Sequence, residues 1–426
     1  MNRIRSGAIA VAVSAALFGA SAAMAAAPAN VTSAADSGPG TLREALASGA
    51  TNIFIVPSVG NITIDSTLDY AGTAPLSIEG RGQTVTASGD FTVLQSSNGG
   101  NLKIKRVNFS GTAGYSFANQ GTGKGIFIQV PTDRAGIVRL ELESVRVTGV
   151  ANHGIHISDC ELGDACGSGG GGGGDGSPAS IQGILNRVVV NDAGNGKFDA
   201  DGVRFDERNV GDIILQVSSS EFSDVGADGI ELDEGQGGDI FVEASNSFFD
   251  SNGAYCLGVP EPLDVNEPCV EDDDGELVLD LDDGFDIDEA GDGSILGSFD
   301  SLFVMSNLDE GLDFDEEDNG GMDLEYRFIF GENNGDEAIK MSAAGAGDVI
   351  AEMRFVNALM NGNDGIEAEV EDGDGEVHLD FRNGTSRGND GDGIQASQEN
   401  TTNPGTQKLR GFTDVDSLDL ENVVER

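Results

Sequence analysis

Apolar and polar residues alternate along most of this chain, in short runs that return at a fixed interval. The clearest run is acidic residue, Gly, apolar, x, apolar. It reads Asp-Gly-Val-Arg-Phe at 201–205, Asp-Gly-Ile-Glu-Leu at 228–232, Asp-Gly-Phe-Asp-Ile at 283–287 and Glu-Gly-Leu-Asp-Phe at 310–314. Looser copies are His-Gly-Ile-His-Ile at 153–157, Glu-Ala-Ile-Lys-Met at 337–341, Asp-Gly-Ile-Glu-Ala at 364–368 and Asp-Gly-Ile-Gln-Ala at 392–396. The Gly position falls at 202, 229, 284, 311, 338, 365 and 393, giving spacings of 27, 55, 27, 27, 27 and 28. The 55-residue interval reads as two periods, with a degenerate copy near Cys256-Leu257. Period-2 alternation without a 3.6-residue rhythm predicts strands, not helices. Two further strand-like runs follow in each period, as in Gly238–Glu243 and Ser247–Phe249. Three strands per turn, with Gly, Asn and Asp at the corners where a Cβ would clash, describe one coil of a parallel β-helix.

On these repeats the chain resembles the bacterial right-handed β-helix repeat proteins of the pectin-lyase-like superfamily. The segment Ala35-Asp-Ser-Gly-Pro-Gly-Thr-Leu-Arg-Glu-Ala-Leu46 is similar to the N-terminal lead-in of many such exported proteins. There Thr41 and Glu44 are spaced as a capping box for a short amphipathic helix, which would cover the open strand edges of the first coil. The resemblance implies an all-β chain: a single-stranded right-handed parallel β-helix over residues 26–400, with a short N-terminal capping helix. Insertions are expected at about 160–177 and 257–274, and a C-terminal cap over 401–426. The superfamily holds lyases, hydrolases and adhesins alike, so fold is implied and activity is left open.

Within the repeat strand the apolar positions must face inward and their neighbours outward. One inward column is Ile155, Val203, Ile230, Phe285, Leu312, Ile339, Ile366 and Ile394; the next is Ile157, Phe205, Leu232, Ile287, Phe314 and Met341. The outward columns read His156, Arg204, Glu231, Asp286, Asp313, Lys340, Glu367, Gln395 and Ser158, Asp206, Asp233, Asp288, Asp315, Ser342, Glu369, Ser397. Acidic residues also flank the strand, including Asp201 and Asp228 before it and Glu207, Glu234, Glu289 and Glu316 after it.

Like charges stacked on neighbouring strands repel. Hard cations with all-oxygen coordination would relieve that repulsion, and Ca²⁺ tolerates irregular geometry best. Candidate metal ligands are Asp201, Asp206, Asp228, Glu231, Asp233, Asp286, Asp288, Asp313 and Asp315. A solvated acidic face suited to saline surroundings is the competing explanation.

Charge narrows the partners. Asp and Glu number 74 against 23 Lys and Arg, a net charge of -51. Nucleic acid and anionic membranes would be repelled, leaving divalent cations, and an extracellular polysaccharide or cell surface, as expected partners. Arg3 and Arg5, the apolar run Ala8–Phe18 and Ala23-Met24-Ala25 read as a cleaved signal peptide over residues 1–25, placing the chain in the periplasm or outside the cell. No later stretch reads as a membrane span. Four cysteines in an exported chain favour the local disulfides Cys160/Cys166 and Cys256/Cys269. Zinc is disfavoured, since His153, His156 and His378 show no ligand spacing.

Both insertions are expected to follow the repeat strand and to frame a groove over Asp201–Arg208 and Asp228–Glu234; shielding the side of the helix is the plainer role. If the chain were a Ca²⁺-dependent polysaccharide lyase, as the resemblance allows, Arg204 would be the catalytic base there. A salt bridge is the commoner fate of an Arg among carboxylates. The leading expectation is a non-catalytic, cation-binding β-helix.

Overall fold

The computed structural model describes residues 28–160, 175–273, 276–371 and 373–426; the expected signal peptide and Cys166 lie outside them. It is all-β and consists almost wholly of parallel strands in two long sheets, as in a parallel β-helix. One sheet has 18 strands and the other 12.

The Asp-Gly motifs build the 12-stranded sheet, and its strands are ordered along it as they are in the sequence. We label them β1 (Leu68–Tyr70), β2 (Leu94–Ser96), β3 (Ile126–Gln129), β4 (Ile155–Ser158), β5 (Val203–Arg208) and β6 (Ile230–Gln236). They continue as β7 (Phe285–Gly291), β8 (Leu312–Asp318), β9 (Lys340–Gly345), β10 (Glu367–Glu371), β11 (Ile394–Gln398) and β12 (Leu418–Glu421). Register follows the motif: Ile155, Val203, Ile230, Phe285 and Leu312 are successive Cα partners. All five are fully buried, because alternation sends positions of one parity to one face.

A second repeat, not singled out in the sequence, runs inside the fold. Asn252 donates through Nδ2 to Asn307 Oδ1 at 2.9 Å, Asn307 to Asn334 at 3.0 Å, Asn334 to Asn361 at 3.1 Å and Asn361 to Asn389 at 2.9 Å. This ladder satisfies amides that burial would otherwise penalise.

Near the start of the described chain, the short helix α1 (Leu42–Ala47) has Thr41 as its N-cap, accepting the Glu44 N–H at 3.2 Å. The Glu44 carboxylate reaches back to the Gly40 N–H at 2.5 Å. Leu42, Ala45 and Leu46 form its buried face. No described helix is long and apolar enough to cross a membrane.

Two expectations require correction. The 55-residue interval is not two coils, because Ile230 pairs directly with Phe285. The extra chain leaves after the strand Ile240–Asp250, forms a 3-10 turn at Cys256–Gly258 and an antiparallel pair, Val270–Asp273 with Glu276–Leu279, and returns at β7. Pro260, Pro262 and Pro268 fall in this stretch, and proline cannot donate to a strand ladder.

The excursion therefore does not follow a repeat strand. It meets the N-terminal end of β7, whereas the chain of the other insertion leaves at Cys160, beyond the C-terminal end of β4. The excursion thus borders the N-terminal ends of the repeat strands, and most of the other insertion lies outside the described residues. Counting from a copy that does not exist produced the error.

The excursion has its own small core of Tyr255, Cys256, Val259, Cys269 and Val270, packed with Phe117 and Phe198. A disulfide joins Cys256 to Cys269, with Cα atoms 5.3 Å apart.

Candidate functional site

The predicted acidic residues assemble on the outer face of β5 to β9, in the register the motif dictates. Arg204 pairs with Glu231, Glu231 with Asp286, Asp286 with Asp313 and Asp313 with Lys340. Asp206, Asp233, Asp288 and Asp315 form the parallel column. Asp201 and Asp228 stand just ahead of β5 and β6.

This face is far less solvated than an open acidic wall would be. Asp201, Asp206, Asp228, Glu231, Asp233 and Asp313 are buried, and Asp286, Asp288 and Asp315 are partly so. The excursion is one reason. Pro268 and Asp280–Asp282 face Asp228, Glu231, Asp283, Asp286 and Asp288 across a cleft of about 390 Å³.

Arg204 lies at the β4–β6 end, 2 % exposed, and is saturated by carboxylates. Its Nε donates to Asp206 at 2.6 Å, Nη1 to Asp199 at 2.9 Å and Asp201 at 3.4 Å, and Nη2 to Asp233 at 3.3 Å; Glu231 is bonded as well. Burial works against the charge, but the carboxylates outweigh it and hold the guanidinium well above its ordinary value. Arg204 is an ion-pair centre.

Next to it lies a cluster that sequence spacing did not reveal. His156 Nε2 bonds Asp206 Oδ2 at 2.6 Å, and its Nδ1 meets Lys124. The His153 ring lies 4.5 Å from His156, and its Nδ1 accepts the Asp201 N–H at 3.0 Å. Burial, then the Lys124 charge, pushes His156 down to about 4; burial takes Lys124 to about 8. Both histidines are committed to this network. The available clue was that His156 occupies the Arg204 column one strand earlier.

At the far end Lys340 Nζ donates to Glu310 at 3.0 Å and Asp313 at 3.1 Å. Between Arg204 and Lys340, among the described residues, no cationic side chain bonds Asp283, Asp286 or Asp288. Burial and then neighbouring carboxylates raise Asp283 and Asp286 well above the ordinary range, and take Asp288 to about 8. Asp313 Oδ1 is buried with no hydrogen-bond donor.

Several groups of three acids hold ligand oxygens within 4.8 Å of one another and could each take a metal ion, among them Asp199/Asp201/Glu231, Glu231/Asp286/Asp288, Asp283/Asp286/Asp313, Asp283/Asp309/Glu310 and Glu310/Asp336/Glu337. Of the expected ligands, Asp201, Glu231, Asp286, Asp288 and Asp313 fall into these groups. Asp206 and Asp233 bond Arg204, and Asp228 lines the cleft.

Glu207, Glu234, Glu289 and Glu316 do not belong to this face. They share the parity of Val203 and Phe205 and turn inward, stacked in register and almost fully buried. Glu207, Glu289 and Glu316 each accept a Gly N–H of their own turn through Oε1, at 3.1, 3.2 and 2.6 Å. Their remaining oxygens, and those of Glu234, meet no other side-chain donor and face one another's carboxyl groups from coil to coil.

No family model matches the chain, and no curated protein matches it. Among solved structures it is similar to ORF18 of Geobacillus virus E2, at 12% identity and a TM-score of 0.37, over 89% of this chain. The chain spans 62% of that structure's length.

Proposed function

We propose that this protein is an exported, non-catalytic right-handed parallel β-helix of the pectin-lyase-like type, with three strands per coil and α1 covering its first coil. Its role is to bind divalent cations, Ca²⁺ foremost, on the outer face of β6 to β8, and through that face to associate with an extracellular polymer or surface. The single observation that carries the cation reading is the Asp283/Asp286/Asp313 group. Its oxygens converge, no side-chain cation bonds Asp283 or Asp286 among the described residues, and buried Asp313 Oδ1 has no donor. Isolated buried carboxylates are costly, and a hard cation with oxygen ligands removes that cost. Asp283 and Asp286 also line the cleft.

The test is thermal unfolding after chelation. Millimolar CaCl₂ should raise Tm by several degrees, while NaCl of equal ionic strength should not, since specific binding stabilises by mass action and screening does not distinguish the ions. Equal responses to the two salts reduce the face to a screened acidic surface.

A further inference from the structure

The outer surface of the other, 18-stranded sheet carries a second feature, unrelated to the acidic face. Among the described residues the exposed phenylalanines are Phe248, Phe303, Phe328 and Phe355, and all four lie side by side on this surface. Phe248, Phe303 and the half-buried Phe330 are successive cross-strand partners, with ring centroids 4.8 and 6.0 Å apart. Beside them Phe328 and Phe355 stack at 4.8 Å. The last two sit at a corner of the coil with φ of 56° and 59°. A bulky side chain seldom adopts this left-handed region, and neighbouring coils place Asn246, Ser301 and Asn383 there. Backbone strain and exposed rings are two separate costs retained at one place, the mark of an interaction surface.

Composition separates the kinds of partner. Aromatic residues and Arg are enriched at protein–protein interfaces, whereas Asp and Glu are depleted. In the column next to the phenylalanines, Ser245, Asp300, Arg327 and Arg354 are in register. Across these three columns and four coils Asp300 is the one acid, in a chain that has 74 Asp and Glu. A lipid or polymer anion finds little free charge here, because Arg327 is paired with Asp300 and Arg354 with Glu352.

The strip is complementary to itself. A two-fold axis in the interface, at right angles to the solenoid, lays each column on the same column of the other copy and reverses the order of the coils. Placed between the coils of Asp300 and Arg327, the axis brings Asp300 of each copy to Arg327 of the other and Phe303 to Phe330. Arg354 then faces Ser245, and no like charges meet within the three columns. We propose that a second copy of this chain covers the strip, in a two-fold dimer with the phenylalanines at its centre and Asp300–Arg327 pairs crossing it.

Sedimentation velocity of the full chain tests this, in moderate salt to screen the net charge of -51. The wild type should sediment with twice the mass of the chain. Phe303→Ser should weaken the dimer about tenfold or more. Phe328→Asn should weaken it as well while leaving the monomer at least as stable, because Asn tolerates the corner. Asp300→Arg and Arg327→Asp should each be monomeric, since each sets like charges across the axis twice. An equimolar mixture of these two variants should dimerise again, because every pair across the axis is once more opposite in charge while the pair within each chain stays broken. A mixture that remains monomeric overturns the two-fold arrangement. A wild type that is monomeric throughout, whether or not it floats with phosphatidylcholine vesicles, overturns the second copy as the partner.

Discussion

Asp283 accepts the backbone N–H of Glu310 through Oδ1 at 2.7 Å, one repeat later in the chain. Asp228 does the same for Asp283 at 2.6 Å, and Asp201 for Asp228 at 3.2 Å. The acid ahead of each Gly thus has a structural half, which ties one coil to the next. Its second oxygen remains for other partners. Asp283→Ala should cost about 1–3 kcal/mol even in chelator, because it orphans a buried N–H. Asp283→Asn keeps an acceptor and should lose much less stability in chelator while losing the Ca²⁺-dependent rise in Tm. Chemical denaturation of both variants, with and without Ca²⁺, separates the two roles.

Arg204 is expected to be indispensable for folding. Five carboxylates surround it in a buried setting, and removing one partner of a buried ion pair leaves uncompensated charge. Arg204→Met should destabilise by about 3–5 kcal/mol. A variant that unfolds at the wild-type denaturant midpoint would contradict this reading of the cluster.

The interior glutamate column predicts an unusual pH dependence. Burial comes first among the causes that raise these acids, from an ordinary 4.5 to about 7 for Glu289, about 8 for Glu207 and Glu316, and about 11 for Glu234. An acid whose folded value is raised favours folding while it is protonated. That contribution is complete below about 4.5, declines as pH rises, and is lost for Glu207, Glu289 and Glu316 once pH passes about 8. In chelator, Tm should therefore fall between pH 6 and pH 9. Glu234→Gln, neutral at every pH, should make the fall shallower; an unchanged slope would show that the column does not carry it.

Much of this architecture could be read from the chain. A 27-residue period with strict alternation is a register instruction, so Val203, Ile230 and Phe285 could be stacked from spacing alone. The same parity rule places Glu207 inward, but charge pulled the reading outward, since a buried glutamate without a partner is costly and rarely expected. Length misled at residues 251–284, where an excursion happened to measure one period. The histidine–lysine cluster was illegible because Lys124 and His156 lie 32 residues apart and meet only through stacking. The burial of the acidic face depends on the excursion covering it, a tertiary fact with no periodic signature.

The asparagine ladder gives a last and independent test of the stacking. Asn334 accepts the Asn307 amide at 3.0 Å, donates to Asn361 Oδ1 at 3.1 Å and also approaches the Val304 carbonyl at 3.3 Å. It also accepts the Asn307 backbone N–H at 3.3 Å, so truncation strips partners from both neighbouring coils at once. A net hydrogen bond is worth about 1 kcal/mol and an orphaned buried group costs about 1–3 kcal/mol, so Asn334→Ala should cost about 2–4 kcal/mol. Asn389, the last member, is partly buried, and Asn389→Ala should cost about 1 kcal/mol or less, because water can replace part of what is lost. Equal losses at the two positions would mean that the interior bonds carry no more than exposed ones, and that the hydrophobic columns alone hold the coils in register.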